Sequence, residues 1–117
     1  SIVFFNYFIW YSTKKYDLLL KIRHTVDYDF QNLFLFLDGG TKDTVEIILA
    51  NKNGKWRGSG LVDVREIEHV IEKKKLFTRK GEYYLKVEQA MRYGPVEKIR
   101  SLEHILDIGL IVERGND

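Results

Sequence analysis

The side chains best suited to metal binding or acid–base work are His24, His69 and His104, and they fall in three different segments of the 117-residue chain. Two histidines that ligate one metal from a single element need an i,i+4 or His-x-His spacing, so that both imidazoles share a face. Neither spacing occurs. Asp27, Asp63 and Asp107 are the carboxylates that would have to join them in space, and surface or strand-end positions are the expectation for all three histidines. Gly58-Ser59-Gly60 flanks a serine with glycines but lacks the strand–turn–helix setting of a nucleophile elbow. There is no phosphate loop and no dinucleotide fingerprint. The absence of cysteine excludes disulfides, thiolate catalysis and Cys-based zinc sites within these residues. Paired carboxylates need a cleft and a separation of ~5–9 Å that a sequence cannot show. No catalytic, metal or cofactor signature is present.

Other residues suit recognition better than reaction. Arg23, Asn32, Trp56, Gln89 and Arg92 are polar or amphipathic and adjoin strongly apolar stretches. Read functionally they build a recognition surface, with Trp56 and Tyr84 offering flat faces to a sugar ring. Read structurally, Trp56 plugs the core while the amides and guanidinium groups satisfy loop backbone. The structural reading is favoured. Lys73-Lys74-Lys75 with Arg79 and Lys80 could touch anionic headgroups, but such runs more often keep an edge strand from pairing with another molecule.

The elements that position these residues are strands. In Gly81–Arg92, Tyr83, Leu85, Val87, Gln89 and Met91 alternate onto one side, the period of a half-buried antiparallel strand. Gln89 is an amide in an inward row, so burial and backbone hydrogen bonds are predicted for it. Further strands are predicted over 2–11, apolar on both faces and therefore suited to a strand covered on two sides or to one packing against a segment that would lie before Ser1, and over 16–24, 31–37 and 44–50. Asp38-Gly39-Gly40 and Asn51-Lys52-Asn53-Gly54 supply turns. Gly58 and Gly60 bare one strand face, which marks a bulge or the close approach of another group. Over 61–77 the alternation is unclear, and a strand, a short connection and a second strand are expected. Pro95 breaks the sheet and opens a short helical turn within 96–104. A last strand over 105–114 turns Leu106, Ile108, Leu110 and Val112 inward.

The sum is an all-β chain of seven to nine strands, an antiparallel β-sandwich of jelly-roll-like or Greek-key form. A length of 117 residues suits one domain, and a 44% hydrophobic fraction argues against disorder. With 19 basic and 17 acidic residues the net charge is +2, too balanced to suggest nucleic acid as a partner. No apolar run reaches the ~20 residues of a membrane-spanning helix.

Several patches together resemble the gliding-motility lipoprotein GldH family of Bacteroidetes. They are Tyr16-Asp17 leading to Ile22-Arg23-His24, the run from Asp27 through Asn32-Leu33 to Phe36, Gly54-Lys55-Trp56-Arg57-Gly58-Ser59-Gly60, Gly81-Glu82-Tyr83, Glu88-Gln89-Ala90-Met91-Arg92 and the stretch from Ile105 to Glu113. They stand in family order and span nearly the whole chain. The resemblance implies a single lipoprotein domain over 1–117, exported and held in the cell envelope, at the outer membrane, by a lipidated N-terminal cysteine that would lie before Ser1. It implies a non-enzymatic scaffold or interaction component with envelope or motility-apparatus proteins as partners, and no cofactor. Arg23, His24, Asn32, Trp56, Gly58, Gly60, Gln89, Met91 and Arg92 become the family-signature or interaction residues. A carbohydrate-binding sandwich at the cell surface, with a glycan partner, is the alternative.

Overall fold

Alternating apolar and polar residues, dense in Val, Ile, Phe and Tyr, favour pleated strands, and the chain forms little else. A computed structural model describes residues 2–93, 97–99 and 101–115. In it run β1 (Ile2–Ile9), β2 (Lys15–Thr25), β3 (Asn32–Asp38), β4 (Lys42–Ile48), β5 (Val64–Leu76), β6 (Gly81–Gln89), β7 (Arg92–Tyr93), β8 (Glu97–Lys98) and β9 (Ile105–Arg114). Among the described residues there is no helix.

The long strands form two antiparallel sheets, one ordered β1-β6-β3-β4 and one ordered β5-β2-β9, while β7 and β8 pair separately. Among the long strands every connection crosses from one sheet to the other except the β3–β4 hairpin, a jelly-roll-like path. The inward rows meet in one core. Leu20 and Ile22 of β2 face Leu33, Leu35, Leu37, Ile47, Leu85 and Val87 of the other sheet. Each fully buried Leu or Ile contributes about 1.5–3 kcal/mol of transfer free energy, so this row carries much of the fold. A second cluster of Ile9, Tyr16, Leu18 and Phe77 closes one end. As predicted, β6 is a central strand, between β1 and β3.

The structure departs from the sequence reading in four places. Residues 64–76 form one continuous strand where a break was expected. No Gly or Pro interrupts this stretch, and it pairs with β2 from Thr25↔Val64 to Lys15↔Leu76. Its irregularity is absorbed by register shifts near Leu18 and by a positive φ of 55° at Lys74, whose amide donates to Asp17 Oδ1. In β9, Leu106 points to solvent. One step on β2, Arg23 to His24, matches two on β9, Asp107 to Ile105, so a bulge at Leu106 turns Ile105 inward in its place. The outer row of β1 is uncovered, with Ile2, Phe4 and Phe8 exposed. In the stretch expected to hold a helical turn, Glu97–Lys98 is strand, paired with β7; Pro95 itself lies outside the described residues.

Candidate interaction surface

Gln89 ends β6 with its side chain in the inward row and 6% of its surface exposed. Its Nε2 donates to the Ile99 carbonyl, and its Oε1 accepts from the Met91 amide at 2.9 Å. The Ile99 amide donates back to the Met91 carbonyl at 3.0 Å. Met91 Sδ in turn accepts from the Phe34 amide at 3.3 Å, and the Ala90 amide donates to the Phe34 carbonyl at 2.8 Å. Gln89, Ala90 and Met91 thus tie the end of β6 to β3 and to the segment after β8. Both ends of the amide are satisfied, which resolves the cost of burying it.

His24 is fully buried on the inner side of β2. Its Nδ1 lies 2.9 Å from the Thr25 carbonyl oxygen, which fixes the proton on that nitrogen. The opposite nitrogen, Nε2, is buried with no hydrogen-bond partner among the described residues. The ring packs against Trp56, centroids 4.7 Å apart, and lies 6.0 Å from Tyr28. Trp56 is half-buried against the main core, and Ala50 bridges to it across the Asn51–Gly54 turn. Beyond it the backbone runs against β5, with Ser59 and Glu66 exchanging amide–carbonyl bonds of 3.0 and 2.9 Å. A Cβ on Gly58 would come within 2.7 Å of the Glu66 carbonyl oxygen, and one on Gly60 within 2.0 Å of that of Val64. These glycines are there for contact between two backbones.

Asn32, at the start of β3, faces outward. Its Nδ2 donates to Glu46 Oε2 at 2.7 Å across the β3–β4 pair, and its carbonyl accepts from Tyr28 Oη at 2.8 Å. It lies between two open clefts. One, of about 350 Å³, is lined by Phe30, Phe34, Met91 and Arg92. The other, of about 490 Å³, is lined by Gln31, Glu46, Ile48 and Arg57. Phe34, Phe36, Ile48 and Tyr84 stand exposed on the same outer face. Charges of both signs rim them: Glu46, Lys52, Arg57, Lys86 and Glu88.

Asn32 and Arg92 are therefore brought together at this surface, and the buried Met91 lines one of its clefts from the core side. His24, Trp56, Gly58, Gly60 and Gln89 serve the packing beneath or beside it. Arg23 lies apart, on the outer side of the other sheet, where its Nη1 pairs with Asp107 Oδ2 at 2.7 Å. The exposed Phe34, Phe36 and Ile48 were not singled out from the sequence. Their alternation with Leu33, Leu35 and Ile47 was the available signal, since an apolar residue out of phase with the core row must face outward.

Burial, followed by the nearby Asp29 carboxylate, raises the Tyr28 phenol well above its ordinary value and keeps it a neutral donor to Asn32. Burial first, then the Arg57 guanidinium, lowers the pKa of His69. Among the described residues no three His, Asp or Glu side chains converge as a cation site would require.

A family model described as GldH lipoprotein matches residues 1–112. The chain is 38% identical over 113 residues to the gliding motility lipoprotein GldH homolog of Christiangramia forsetii, covering 91% of this chain and 70% of that protein. It is 36% identical over 121 residues to the gliding motility lipoprotein GldH of Flavobacterium johnsoniae, covering 97% of this chain and 75% of that one. No solved structure matches.

Proposed function

This chain belongs to the GldH lipoprotein family, and we propose that it is a non-enzymatic, lipid-anchored domain of the cell envelope that serves gliding motility as an interaction component. In this reading residues 1–117 form one sandwich domain, tethered at the outer membrane through a lipidated residue ahead of Ser1. It contacts an envelope or motility protein through the surface around Asn32. The observation that carries this is the exposed row of Phe34, Phe36 and Ile48 beside two open clefts, ringed by charges of both signs. Protein interfaces have this composition, an apolar and aromatic centre within a polar rim. Asn32 and Arg92, family-signature residues, lie at its margin.

The test is site-specific photo-crosslinking of the membrane-anchored protein in its own cells. A photoreactive residue at Phe34 or Ile48 should capture a discrete envelope protein. The same residue at Val70, exposed on the other sheet, should not. Equal capture at both faces, or none at Phe34 and Ile48, would sink the assignment.

The carbohydrate-binding alternative has one observation in its favour: Tyr84 on the four-stranded sheet and Trp10, just past the end of β1, are both exposed. Against it, Trp56 is half-buried and packed on His24. A shift of tryptophan emission on addition of an envelope polysaccharide, abolished by Trp10→Ala, would restore it.

A further inference from the structure

The long sheets expose four edges, and three of them carry charge. On β4 stand Lys42, Asp43 and Glu46, on β9 Asp107, Glu113 and Arg114. On β5 the sequence VREIEHVIEKKKL is mostly charged, its start is bridged by Ser59 and Lys74 bends it. Charges, bulges and covering segments are the devices that stop a sheet edge from pairing with another molecule. β1 has none. Its eight residues, IVFFNYFI, contain no charge, no proline and no glycine. It pairs with β6 without a register break from Ile2↔Glu88 to Ile9↔Gly81, and among the described residues nothing pairs with its other side. Its outer row is also the most exposed apolar row of the sheet: Ile2 47%, Phe4 64%, Phe8 40%, and Trp10 just beyond at 61%.

We propose that this edge pairs antiparallel with β1 of a second copy of the chain, about a two-fold axis through Asn6, joining two four-stranded sheets into one of eight. The occupant is named by the strand itself, which from Val3 to Ile9 reads the same in residue class in both directions from Asn6. In the antiparallel pair Asn6 meets its own copy, Phe5 meets Tyr7, Phe4 meets Phe8, Val3 meets Ile9 and Ile2 meets Trp10. From Val3 to Ile9 aromatic faces aromatic and aliphatic faces aliphatic, and Ile2 with Trp10 adds an aromatic–β-branched pair; aromatic–aromatic and aromatic–β-branched contacts across strands stabilise a sheet. The single amide lies on the axis, where two copies can bond to each other. A two-fold interface demands such self-complementarity, and a strand with no charge brings no repulsion to it. The inference does not depend on the motility reading.

The cysteine-free chain allows a direct test. Sedimentation of the unsubstituted chain should give a dimer at high concentration, and Asn6→Lys, which sets two cations face to face, should return it to monomer. Val70→Lys, on the opposite sheet, should leave the dimer unchanged. Under mild oxidation the Asn6→Cys chain should form a covalent dimer. The Phe4→Cys chain alone should not, but it should crosslink when mixed with the Phe8→Cys chain. An unsubstituted chain that stays monomeric, as it would if the edge took a segment of another protein or lipid, overturns the proposal. So does a dimer that survives Asn6→Lys, or crosslinking of Asn6→Cys no faster than that of Phe4→Cys.

Discussion

An amide in an apolar row is a cost unless both of its ends are bonded, and in Gln89 both are. Gln89→Leu keeps the volume but strands the Met91 amide and the Ile99 carbonyl, so a loss of about 1–3 kcal/mol is expected in denaturant unfolding. The inward position was legible from parity along β6. The bonding partner was not, because Ile99 is brought there by a chain reversal ten residues away with no local signal. His69 sets a second expectation. Its folded-state pKa lies below the unfolded one, so the unfolded chain binds the proton more readily. Stability from this group is full above about pH 6.5 and is lost as the pH falls from there through the folded value. The thermal midpoint should therefore drop more between about pH 7.5 and about pH 5 in the natural chain than in His69→Gln.

At the scale of elements, the strands were readable wherever one face is wet, because period two then writes itself into the sequence. β2, β3 and β4 fall within two residues of their expected bounds, and β6 stops three residues short of Arg92. The reading fell short at β5, where an edge strand half-covered by residues 56–60 leaves few positions clearly inside. It fell short again at β9, where a bulge changes the parity of one residue, which alternation alone cannot register. The bulge can be tested by paired truncation. Leu106→Ala should stay within about 0.5 kcal/mol of neutral, as surface changes do. Ile105→Ala, next to it, should be clearly more destabilising, because it opens the core at β9. Equal costs would contradict the observed register. Gly58 and Gly60 were legible as a place of close approach, but which backbone approaches was not, since β5 follows only after a turn.

Over the whole molecule, fold class and family were open to reading, and the arrangement of exposed surface was not. A sandwich needs two apolar inner faces, and the inward rows declare them. Which outer face is left bare depends on strand order, and strand order depends on pairings between distant segments. β1 illustrates this: apolar on both sides, it suited either two-sided cover or packing against a preceding segment, and among the described residues it closes the edge of its sheet with its aromatic row exposed. The same pairings bear on when the fold can form. β2, at the centre of its sheet, matches Tyr16 to Arg114, the end of the last strand, and β1 waits for β6. Synthesis proceeds from the N-terminus, so the middle of the smaller sheet lacks one of its two neighbours until β9 has been delivered. Such distant closures make folding slow, on a scale of roughly milliseconds to seconds. A chain built this way cannot complete its smaller sheet until β9 is free to pair with β2.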